Sequence, residues 1–355
     1  TCAAEKRRRR KRGLYPDPPK RVFIHEAVCE GCGDCTVQSN CVAVVPVETE
    51  FGRKRRIDQS NCNKDYSCLK GFCPSFVTIE GGRPRKGKAL ADEPGRFPLP
   101  PEPTLPGLAS PWNLLVTGVG GTGVITIGAL IGMAAHLDGK GVTVLDMTGL
   151  AQKNGSVFSH IRIAATPQAL HAVRIAAGAA DVVIGGDLIV TASAEALTKM
   201  APGRTRVVTN VAEIPTIDFL RNPDWTFPEQ EMRTRLREAV GEVAADFLDA
   251  TTLATRLMGD AIATNLFLLG YAWQKGWVPV SHESLMRAIE LNGVAVEMNR
   301  AAFLWGRRMA HDPQAVLDFA RPQQEHEARF ARTLDEVIER RATYLVDYQD
   351  EAYAE

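Results

Sequence analysis

The sequence predicts an α/β protein: a small cysteine-rich module, then a doubly wound, mostly parallel α/β domain, then a helical C-terminal extension. Three observations support this class. Seven of the eight cysteines lie between positions 29 and 73. From Trp112 onward, short apolar runs alternate with helical patterns, which is the order expected of a parallel sheet covered on both faces. From about Glu229 the apolar residues recur at helical spacing.

The same patterns divide the 355 residues into five segments. We expect the end of a preceding domain at 1–20, the cysteine module at 21–80, a linker rich in proline and glycine at 81–112, the α/β domain at 113–320 and the start of a following helical domain at 321–355. Eight prolines between positions 84 and 111 indicate the linker.

Individual strands and helices are predicted from the length and spacing of the apolar runs. The strands are expected at Arg21–Ile24, Phe76–Ile79, Asn113–Thr117, Gly141–Leu145, Ser156–Ala164, Asp181–Ile184 and Thr205–Thr209. The helices are expected at Thr122–Leu137, near Ala192–Met200, and at Arg233–Leu248, Asp260–Lys275, Ser281–Leu291 and Gly293–Arg308.

Both termini are interpreted as cut. The run from Thr1 to Gly13 shows no targeting pattern. A long helix predicted over Ala328–Ala352 carries an apolar face, including Phe330 and Tyr348, that no later element could cover. We therefore expect the chain to be part of a longer protein, and to be inactive and prone to association by itself.

The charge pattern argues against nucleic acid and membranes as partners. The chain carries 42 basic and 42 acidic side chains, so it has no global field that would attract a polyanion. The basic run Lys6–Arg12 contains no aromatic residue for base stacking, and we interpret it as a solvated linker or interface segment. The uncharged stretch 103–137 contains clustered glycines, which predict a turn rather than a spanning helix. We expect a soluble, cytoplasmic protein.

The most specific motif is formed by Cys29, Cys32 and Cys35, which are separated by two residues each, with a glycine in both intervals. This spacing lets a tight loop wrap three corners of a cubane iron–sulfur cluster, and a remote Cys-Pro supplies the fourth corner in bacterial ferredoxins. Cys73, followed by Pro74, fits that role. The sequence therefore predicts a ferredoxin-like module with one four-iron (4Fe–4S) cluster.

A second centre is left open. Cys41, Cys62 and Cys68 remain after the first cluster is assigned, and they could hold a three-iron cluster, or a four-iron cluster with a non-cysteine ligand such as Asp65. The pattern departs from the compact run of two-cluster ferredoxins, because five residues separate Cys35 from Cys41 and no proline follows Cys41.

Two other uses of the cysteines are weighed against iron. Zinc prefers separated Cys-x-x-Cys pairs, whereas here three cysteines share one turn. A disulfide framework needs an oxidising compartment, and no signal peptide opens the chain. Cys2 is interpreted as a lone thiol.

A glycine turn is predicted between the first strand and the first helix of the α/β domain. Gly118, Gly120, Gly121, Thr122 and Gly123 match Gly-x-Gly-x-x-Gly in that context, where backbone N–H groups at a helix N-terminus can bind a phosphate. The alternative is that the glycines only allow the strand and the helix to pack closely.

Two further features bear on the ligand of this turn. Asp146 is expected to end the next strand, where a nicotinamide-binding domain holds the ribose; a nicotinamide site is therefore one hypothesis. The polar loop that follows ends in Asn154, Gly155 and Ser156. It should lie at the same edge of the sheet as the glycine turn, so these three residues are predicted to make polar contacts at the mouth of the site.

Two long segments resemble a known family. The stretch GVGGTGVITIGALIGMAAHLDGKGVTVLDMTGLAQKNGSVFSHIRIA resembles the gamma domain of 2-oxoacid:ferredoxin oxidoreductases. The segments VCEGCGDCTVQSNC and ETEFGRKRRIDQSNCNKDYSCLKGFCPSF resemble the ferredoxin segment of the fused indolepyruvate ferredoxin oxidoreductases of bacteria. The order of the two segments also matches.

The resemblance implies oxidative decarboxylation of a 2-oxoacid, an aryl pyruvate with indolepyruvate as the expected substrate, to an acyl-CoA. Thiamine diphosphate and Mg²⁺ would be bound mainly outside this chain, by a thiamine-binding part of the same enzyme whose tail is residues 1–20. Coenzyme A would be the co-substrate, ferredoxin or a similar protein the electron acceptor, and the assembly a homo-oligomer. No catalytic residue is assigned here. The rival hypotheses are an NAD(P)H-dependent ferredoxin-type reductase and a zinc-bearing interaction module.

Overall fold

The structure is a computed structural model that describes residues 3–11, 13–41, 43–59, 62–82, 90, 96–149, 155–214, 219, 222, 224–321, 331 and 333–354. They form two compact units. The first comprises Thr1–Arg83, Leu220–Pro223 and Pro322–Glu355, and the second comprises Pro84–Phe219 and Asp224–Arg321.

The helices and strands of the described residues are numbered along the chain. The first 83 positions contain α1 (Ala3–Lys11), β1 (Lys20–Ile24), α2 (Asp34–Ser39), β2 (Val44–Thr49), β3 (Gly52–Ile57) and β4 (Phe76–Glu80). The second unit contains β5 (Trp112–Val119), α3 (Val124–Leu137), β6 (Gly141–Thr148), β7 (Ser156–Ala164), β8 (Val182–Gly185), α4 (Leu188–Thr191), α5 (Ala194–Leu197), β9 (Arg206–Asn210), α6 (Glu229–Val240), β10 (Ala245–Leu248), α7 (Ala250–Met258), α8 (Thr264–Gln274), α9 (His282–Asn292), α10 (Val296–His311) and α11 (Pro313–Ala320). Two more helices follow, α12 (Leu334–Tyr348) and α13 (Glu351–Ala354).

The first unit is built on two antiparallel strand pairs. β1 pairs with β4, so that Ile24 lies opposite Phe76, and β2 pairs with β3 in a hairpin. The strands predicted at Arg21–Ile24 and Phe76–Ile79 are thereby confirmed. Ile24, Cys29 and Val44 form a small core, against which Ile57, Phe76 and three further cysteines pack, namely Cys35, Cys41 and Cys68. Thiols therefore make up a large part of this core.

Helix α12 belongs to the same unit and packs on the tip of the β2–β3 hairpin. Arg341 pairs with Glu50, and its guanidinium lies 4.9 Å from the centre of the Phe51 ring. The predicted apolar face is exposed, with Leu334 at 73% and Ile338 at 55% accessibility. Phe330 and most of the predicted start of this helix lie outside the described residues, and the helix ends before Gln349 rather than at position 352.

The second unit is organised around a six-stranded sheet in the order β10-β9-β8-β5-β7-β6. The pairs β10–β9, β9–β8 and β8–β5 are parallel. Strand β7 is antiparallel to both β5 and β6, because β6 returns directly into β7 as a hairpin. The sheet is therefore mostly parallel, as predicted, with β7 as the exception.

Helices cover both faces of this sheet, which makes the fold doubly wound. Along β5, Leu114 and Val116 face a core that includes α3 and helices α7–α11, whereas Leu115 faces a core that includes α4 and α6. This alternation follows from the two-residue period of a strand. The predicted strand Ser156–Ala164 has the predicted bounds.

One predicted helix is wrong. The stretch Arg233–Leu248 does not form a single helix, because α6 ends at Val240 and Gly241 then takes a φ of 100°, a conformation that glycine adopts without steric cost. The chain turns, and Ala245–Leu248 becomes strand β10, which pairs in parallel with β9. The helix predicted near Ala192–Met200 is replaced by the short helices α4 and α5.

The described end of the proline-rich segment contacts the second unit's helices. Phe97, Leu105 and Leu108 pack against the core on the α3 side of the sheet. Arg307 donates a hydrogen bond to the carbonyl oxygen of Pro100 (2.8 Å), and Gln274 donates to that of Pro101 (2.7 Å). Within the parts of the chain described above, no helix is both long enough and apolar enough to cross a bilayer.

Asp138 joins the end of α3 to the start of α9. Its carboxylate accepts hydrogen bonds from the backbone N–H (2.8 Å) and the hydroxyl (2.6 Å) of Ser281, and from Lys140 Nζ (2.8 Å). Burial alone would raise the pKa of Asp138, but the hydrogen bonds from Lys140 and Ser281 outweigh it and lower the pKa to about 2.

Replacing Asp138 by Asn is expected to destabilise the second unit by about 1–3 kcal/mol at neutral pH. Because the folded-state pKa of about 2 lies below the usual unfolded value of about 3.9, this stabilisation is present above the unfolded value and is lost as the pH falls toward the folded one. Urea unfolding at neutral pH and at about pH 3 measures this loss of stability.

Asp318→Asn is the control for that measurement, because Asp318 is 51% exposed in its pair with Arg321 and should change stability by less than about 1 kcal/mol. A loss of equal size at both pH values would contradict the role of the Asp138 charge.

Candidate functional sites

The loop that carries Cys29, Cys32 and Cys35 is held tightly against strand β3. Cys29 N–H donates to the carbonyl oxygen of His25 (3.0 Å), which forms a turn directly after β1. Gly31 has a φ of 78°, and a Cβ atom there would lie 2.3 Å from the carbonyl oxygen of Arg53. Only glycine can therefore occupy position 31 without displacing backbone.

The three thiols of this loop are close enough to influence one another. Burial raises the pKa of Cys35 to about 11, the charge of Arg55 opposes this, and Cys29 and Cys32 raise it further. Cys29 is buried and Cys32 is exposed, so the group reaches from the core of the first unit to its surface.

Cys73 is connected to this loop through His25. The His25 N–H donates to the carbonyl oxygen of Ser75 (2.8 Å), and the Sγ atom of Cys73 lies 3.0 Å from the hydroxyl oxygen of Ser75. The β1–β4 pairing thus places the Cys73 segment next to His25, whose carbonyl oxygen accepts the hydrogen bond from Cys29. A cluster shared by Cys29 and Cys73 requires that the two segments lie close together.

Cys41 and Cys68 pack against the same small core as Cys29 and Cys35, and Cys68 also interacts with Cys62. Burial raises the pKa of Cys68 to about 12, with further contributions from Cys41 and Cys62 and a smaller one from Asp65. The Asp65 carboxylate accepts hydrogen bonds from the backbone N–H (3.3 Å) and the hydroxyl (3.0 Å) of Ser67. Since Cys29, Cys35, Cys41 and Cys68 share one core, the division of the seven cysteines into two centres stays a prediction.

The donor set suits iron–sulfur clusters. The seven cysteines of the first unit are all free thiols, and soft sulfur ligands are the ones that clusters and zinc select. Among the described residues, no three His, Cys, Asp or Glu side chains converge closely enough to hold a single metal ion. That the seven cysteines bind iron stays a prediction.

Two arginines that interact with the thiols were not predicted from the sequence. Arg55 on β3 is 1% exposed and interacts with the first thiol group, while Arg7 on α1 interacts with Cys62 and Cys41. Burial lowers the pKa of both arginines, and the neighbouring sulfurs act in the opposite direction. In a run of basic residues, a buried arginine cannot be told from its exposed neighbours until the position of strand β3 is known.

The glycine turn lies between β5 and α3, as predicted. Gly118 and Gly123 are in close packing positions, since a Cβ on Gly118 would lie 2.3 Å from Thr122 Oγ1 and one on Gly123 would lie 2.2 Å from Asn265 Nδ2. Gly121 is different, because it has a φ of 110° with open space around its Cβ position. Helix α3 begins after Gly123 without a side-chain cap.

Gly155 and Ser156 lie beside this turn, as predicted. Gly120 N–H donates to the carbonyl oxygen of Gly155 (2.9 Å), and Ser156 is paired with Val119 across the β5–β7 ladder. Asn154 lies outside the described residues.

The predicted position of Asp146 is wrong. Strand β6 continues to Thr148, so Asp146 lies within the strand, opposite Ser159. Its Oδ1 is 3.5 Å from where a Cβ of Gly128 on α3 would be. The hypothesis of a ribose-binding Asp146 at a strand end therefore loses its geometric basis.

Asp187 forms hydrogen bonds with the backbone at the glycine turn, a role that was not predicted from the sequence. Its carboxylate accepts hydrogen bonds from the backbone N–H groups of Val119 (2.6 Å) and Val190 (2.8 Å). Burial raises its pKa, while these hydrogen bonds and one from Ile189 act in the opposite direction. A helix-capping aspartate directly after the buried strand β8 is the signal that could have revealed it.

Comparisons with known proteins match the part of the chain that contains the second unit. Residues 113–309 match the model of the pyruvate ferredoxin/flavodoxin oxidoreductase family. The chain is 30% identical to indolepyruvate oxidoreductase subunit IorB of Methanothermobacter thermautotrophicus over 194 residues, which are 54% of this chain and 94% of that protein. It is also 30% identical to the subunit of the same name from Pyrococcus horikoshii over 205 residues, 57% of this chain and 96% of the relative.

Two solved structures are also similar. The gamma subunit of a keto/oxoacid ferredoxin oxidoreductase from Geobacter sulfurreducens has a TM-score of 0.40 at 20% identity, covering 56% of this chain and 98% of its own. A 2-oxoglutarate:ferredoxin oxidoreductase from Magnetococcus marinus, solved with 2-oxoglutarate, coenzyme A and succinyl-CoA bound, has a TM-score of 0.41 at 17% identity, covering 57% of this chain and 31% of its own. On the match over residues 113–309, the chain belongs to the pyruvate ferredoxin/flavodoxin oxidoreductase family.

Proposed function

We propose that this chain is the electron-transferring part of an enzyme that converts an aryl pyruvate into the corresponding acyl-CoA. Indolepyruvate is the proposed substrate. The observation that carries the proposal is the presence, in one chain, of seven free thiols in the first unit and a domain of the oxidoreductase family. The names of the relatives, indolepyruvate oxidoreductase subunits, support the substrate class.

The cysteines would hold the electron carriers. Cys29, Cys32, Cys35 and Cys73 would bind one four-iron cluster, and Cys41, Cys62 and Cys68 a second centre. A bound cluster accepts electrons one at a time. The glycine-containing loop at Gly31 keeps the first thiol group close to β3, and Cys29 and Cys35 pack with the core residues Ile24 and Val44.

The glycine turn would hold a phosphate-bearing ligand, either coenzyme A or thiamine diphosphate. Gly120, Gly121, Gly155 and Ser156 lie together at the end of β5, and α3 offers uncapped N–H groups there. The packing hypothesis explains Gly118 and Gly123, whose Cβ positions are occupied. Gly121 suits its φ of 110°, and the open space beside it leaves room for a ligand.

The decarboxylation chemistry itself is supplied by thiamine diphosphate and Mg²⁺, which we assign mainly to another part of the enzyme. That part and a ferredoxin-like acceptor are the proposed partners, in a homo-oligomeric, cytoplasmic assembly. His160 illustrates why no catalytic base is assigned to this chain, because burial lowers its pKa to about 4 and its Nδ1 accepts a hydrogen bond from the backbone N–H of Ile175 (3.3 Å).

The test is metal analysis and turnover of the anaerobically purified enzyme that contains this chain. We expect iron and acid-labile sulfide in about equal amounts, about four to eight of each per chain, and reduction of ferredoxin that requires both indolepyruvate and coenzyme A. Zinc without sulfide would overturn the proposal in favour of an interaction module. Tight stoichiometric binding of NADH would overturn it in favour of a nicotinamide-dependent reductase.

A further inference from the structure

Arg55 lies beside the first thiol group, which consists of Cys29, Cys32 and Cys35. Along β3, Arg55 and Ile57 share one face of the strand because side chains alternate, and Ile57 packs against the core that contains Cys29 and Cys35. Gly31 lies so close to Arg53, two positions before Arg55, that a Cβ on Gly31 would be 2.3 Å from the Arg53 carbonyl oxygen. Arg56 lies on the opposite face and is exposed.

A guanidinium at 1% exposure needs compensation for its lost hydration. Arg55 donates a hydrogen bond from Nη1 to the carbonyl oxygen of Lys54 (3.2 Å). The groups that favour its charged form are Cys35, followed by Cys29 and Cys32. As neutral thiols these are weak partners for a buried cation, whereas as thiolates on a cluster they would supply the matching negative charge.

We infer that Arg55 is the counter-charge of the first cluster and raises its reduction potential. The inference rests on the proposed function, since it requires a cluster on Cys29, Cys32, Cys35 and Cys73. When one electron is added, no bond forms or breaks and no proton is needed, and the cluster with its thiolates becomes more negative by one charge. A fixed positive charge nearby stabilises that reduced form more than the oxidised form, because net charge and surroundings set the potential.

Arg7 offers an internal comparison. It lies on α1 and is half-buried, and its charged form is favoured first by Asp58 and then by Cys62 and Cys41, not by the first thiol group. Removing Arg7 should therefore leave the first cluster unchanged.

The experiment is a potentiometric titration of the anaerobically purified enzyme, followed by low-temperature electron paramagnetic resonance. For Arg55→Met, we expect the reduced-to-oxidised ratio of the first cluster at a fixed potential to fall at least tenfold, which is a lowering of 59 mV for one electron. Arg55→Lys keeps the charge and should stay near the wild-type potential. Arg56→Met removes the same charge from the exposed face of β3 and should leave both centres unchanged, whereas Arg7→Met should shift only the second.

The outcomes separate this inference from the proposed function. Wild-type enzyme without iron and sulfide would overturn both. An intact first cluster with an unchanged potential in Arg55→Met would overturn the inference alone. If Arg55→Met fails to assemble the cluster, Arg55→Lys and Arg55→Gln decide: equal potentials in those two variants would overturn the inference, and a lower potential only in Arg55→Gln would support it.

Discussion

Replacing Cys32 by Ala is expected to remove one four-iron cluster completely and to destabilise the cysteine module. Cys32 is exposed, so trimming its side chain removes little packing. Any large loss of stability must then come from the lost cluster, whose binding energy contributes to folding as that of other metal sites does. Iron analysis should show a loss of about four irons per chain, and thermal unfolding should show residues 21–80 melting earlier.

Cys41→Ala is the comparison variant for that prediction. The predicted assignment places Cys41 with Cys62 and Cys68 in a second centre, so its loss should leave the spectrum of the first cluster in place. If both variants remove the same single signal in low-temperature electron paramagnetic resonance, Cys41 belongs to the first cluster and the division into two centres is wrong.

Replacing Gly306 by Ala is expected to destabilise the second unit by about 2 kcal/mol or more. Helices α8 and α10 touch backbone to backbone: a Cβ on Gly306 would lie 1.9 Å from the carbonyl oxygen of Phe267, and one on Gly270 would lie 2.0 Å from that of Phe303. Carbonyl oxygens within a helix cannot move aside, so the helices must separate. The higher helix propensity of Ala, about 1 kcal/mol, offsets only part of this cost.

Gly107→Ala is the matched control, because a Cβ there meets nothing within 4 Å and its backbone is not left-handed. It should change the free energy of unfolding by no more than about 0.5 kcal/mol. Denaturant unfolding of the two variants measures the difference, and a Gly306→Ala protein as stable as Gly107→Ala would refute the close crossing of α8 and α10.

The elements predicted correctly from the sequence are those whose apolar pattern fits only one type of secondary structure. Strand β7 was predicted with its observed bounds, because apolar and polar residues alternate along much of it. The stretch from Arg233 to Leu248 was misread, because Phe247 and Leu248 fit helical spacing as well as they fit a short strand. Only pairing with β9, a contact with residues far away in the sequence, decides between the two.

The candidate site shows the same limit. The assignment of the cysteines to two centres rests on spacing alone and stays a prediction. Asp187 and Asn265 act on the glycine turn from elements far along the chain; the sequence could show Asp187 as a helix cap, but not that it contacts this turn. Asp146 was misplaced because the end of a strand within a hairpin depends on how far its partner continues the ladder, and β7 extends β6 to Thr148.

The order of the strands also decides where the second unit can admit a ligand. After β5 the chain runs through α3 to β6 and β7 on one side of β5, and it then returns to β8 on the other side. Helix α3 covers one face of the sheet and α4 covers the opposite face. Beyond the carboxyl ends of β5 and β8 the two segments stay bonded to each other: Gly186 N–H donates to the carbonyl oxygen of Thr117 (2.7 Å), and the buried Asp187 carboxylate accepts the Val119 N–H. Open α/β sheets bind their ligands at such topological switch points, and with the β8 side closed in this way, the open space beside Gly121 is the part of the turn that a ligand could reach.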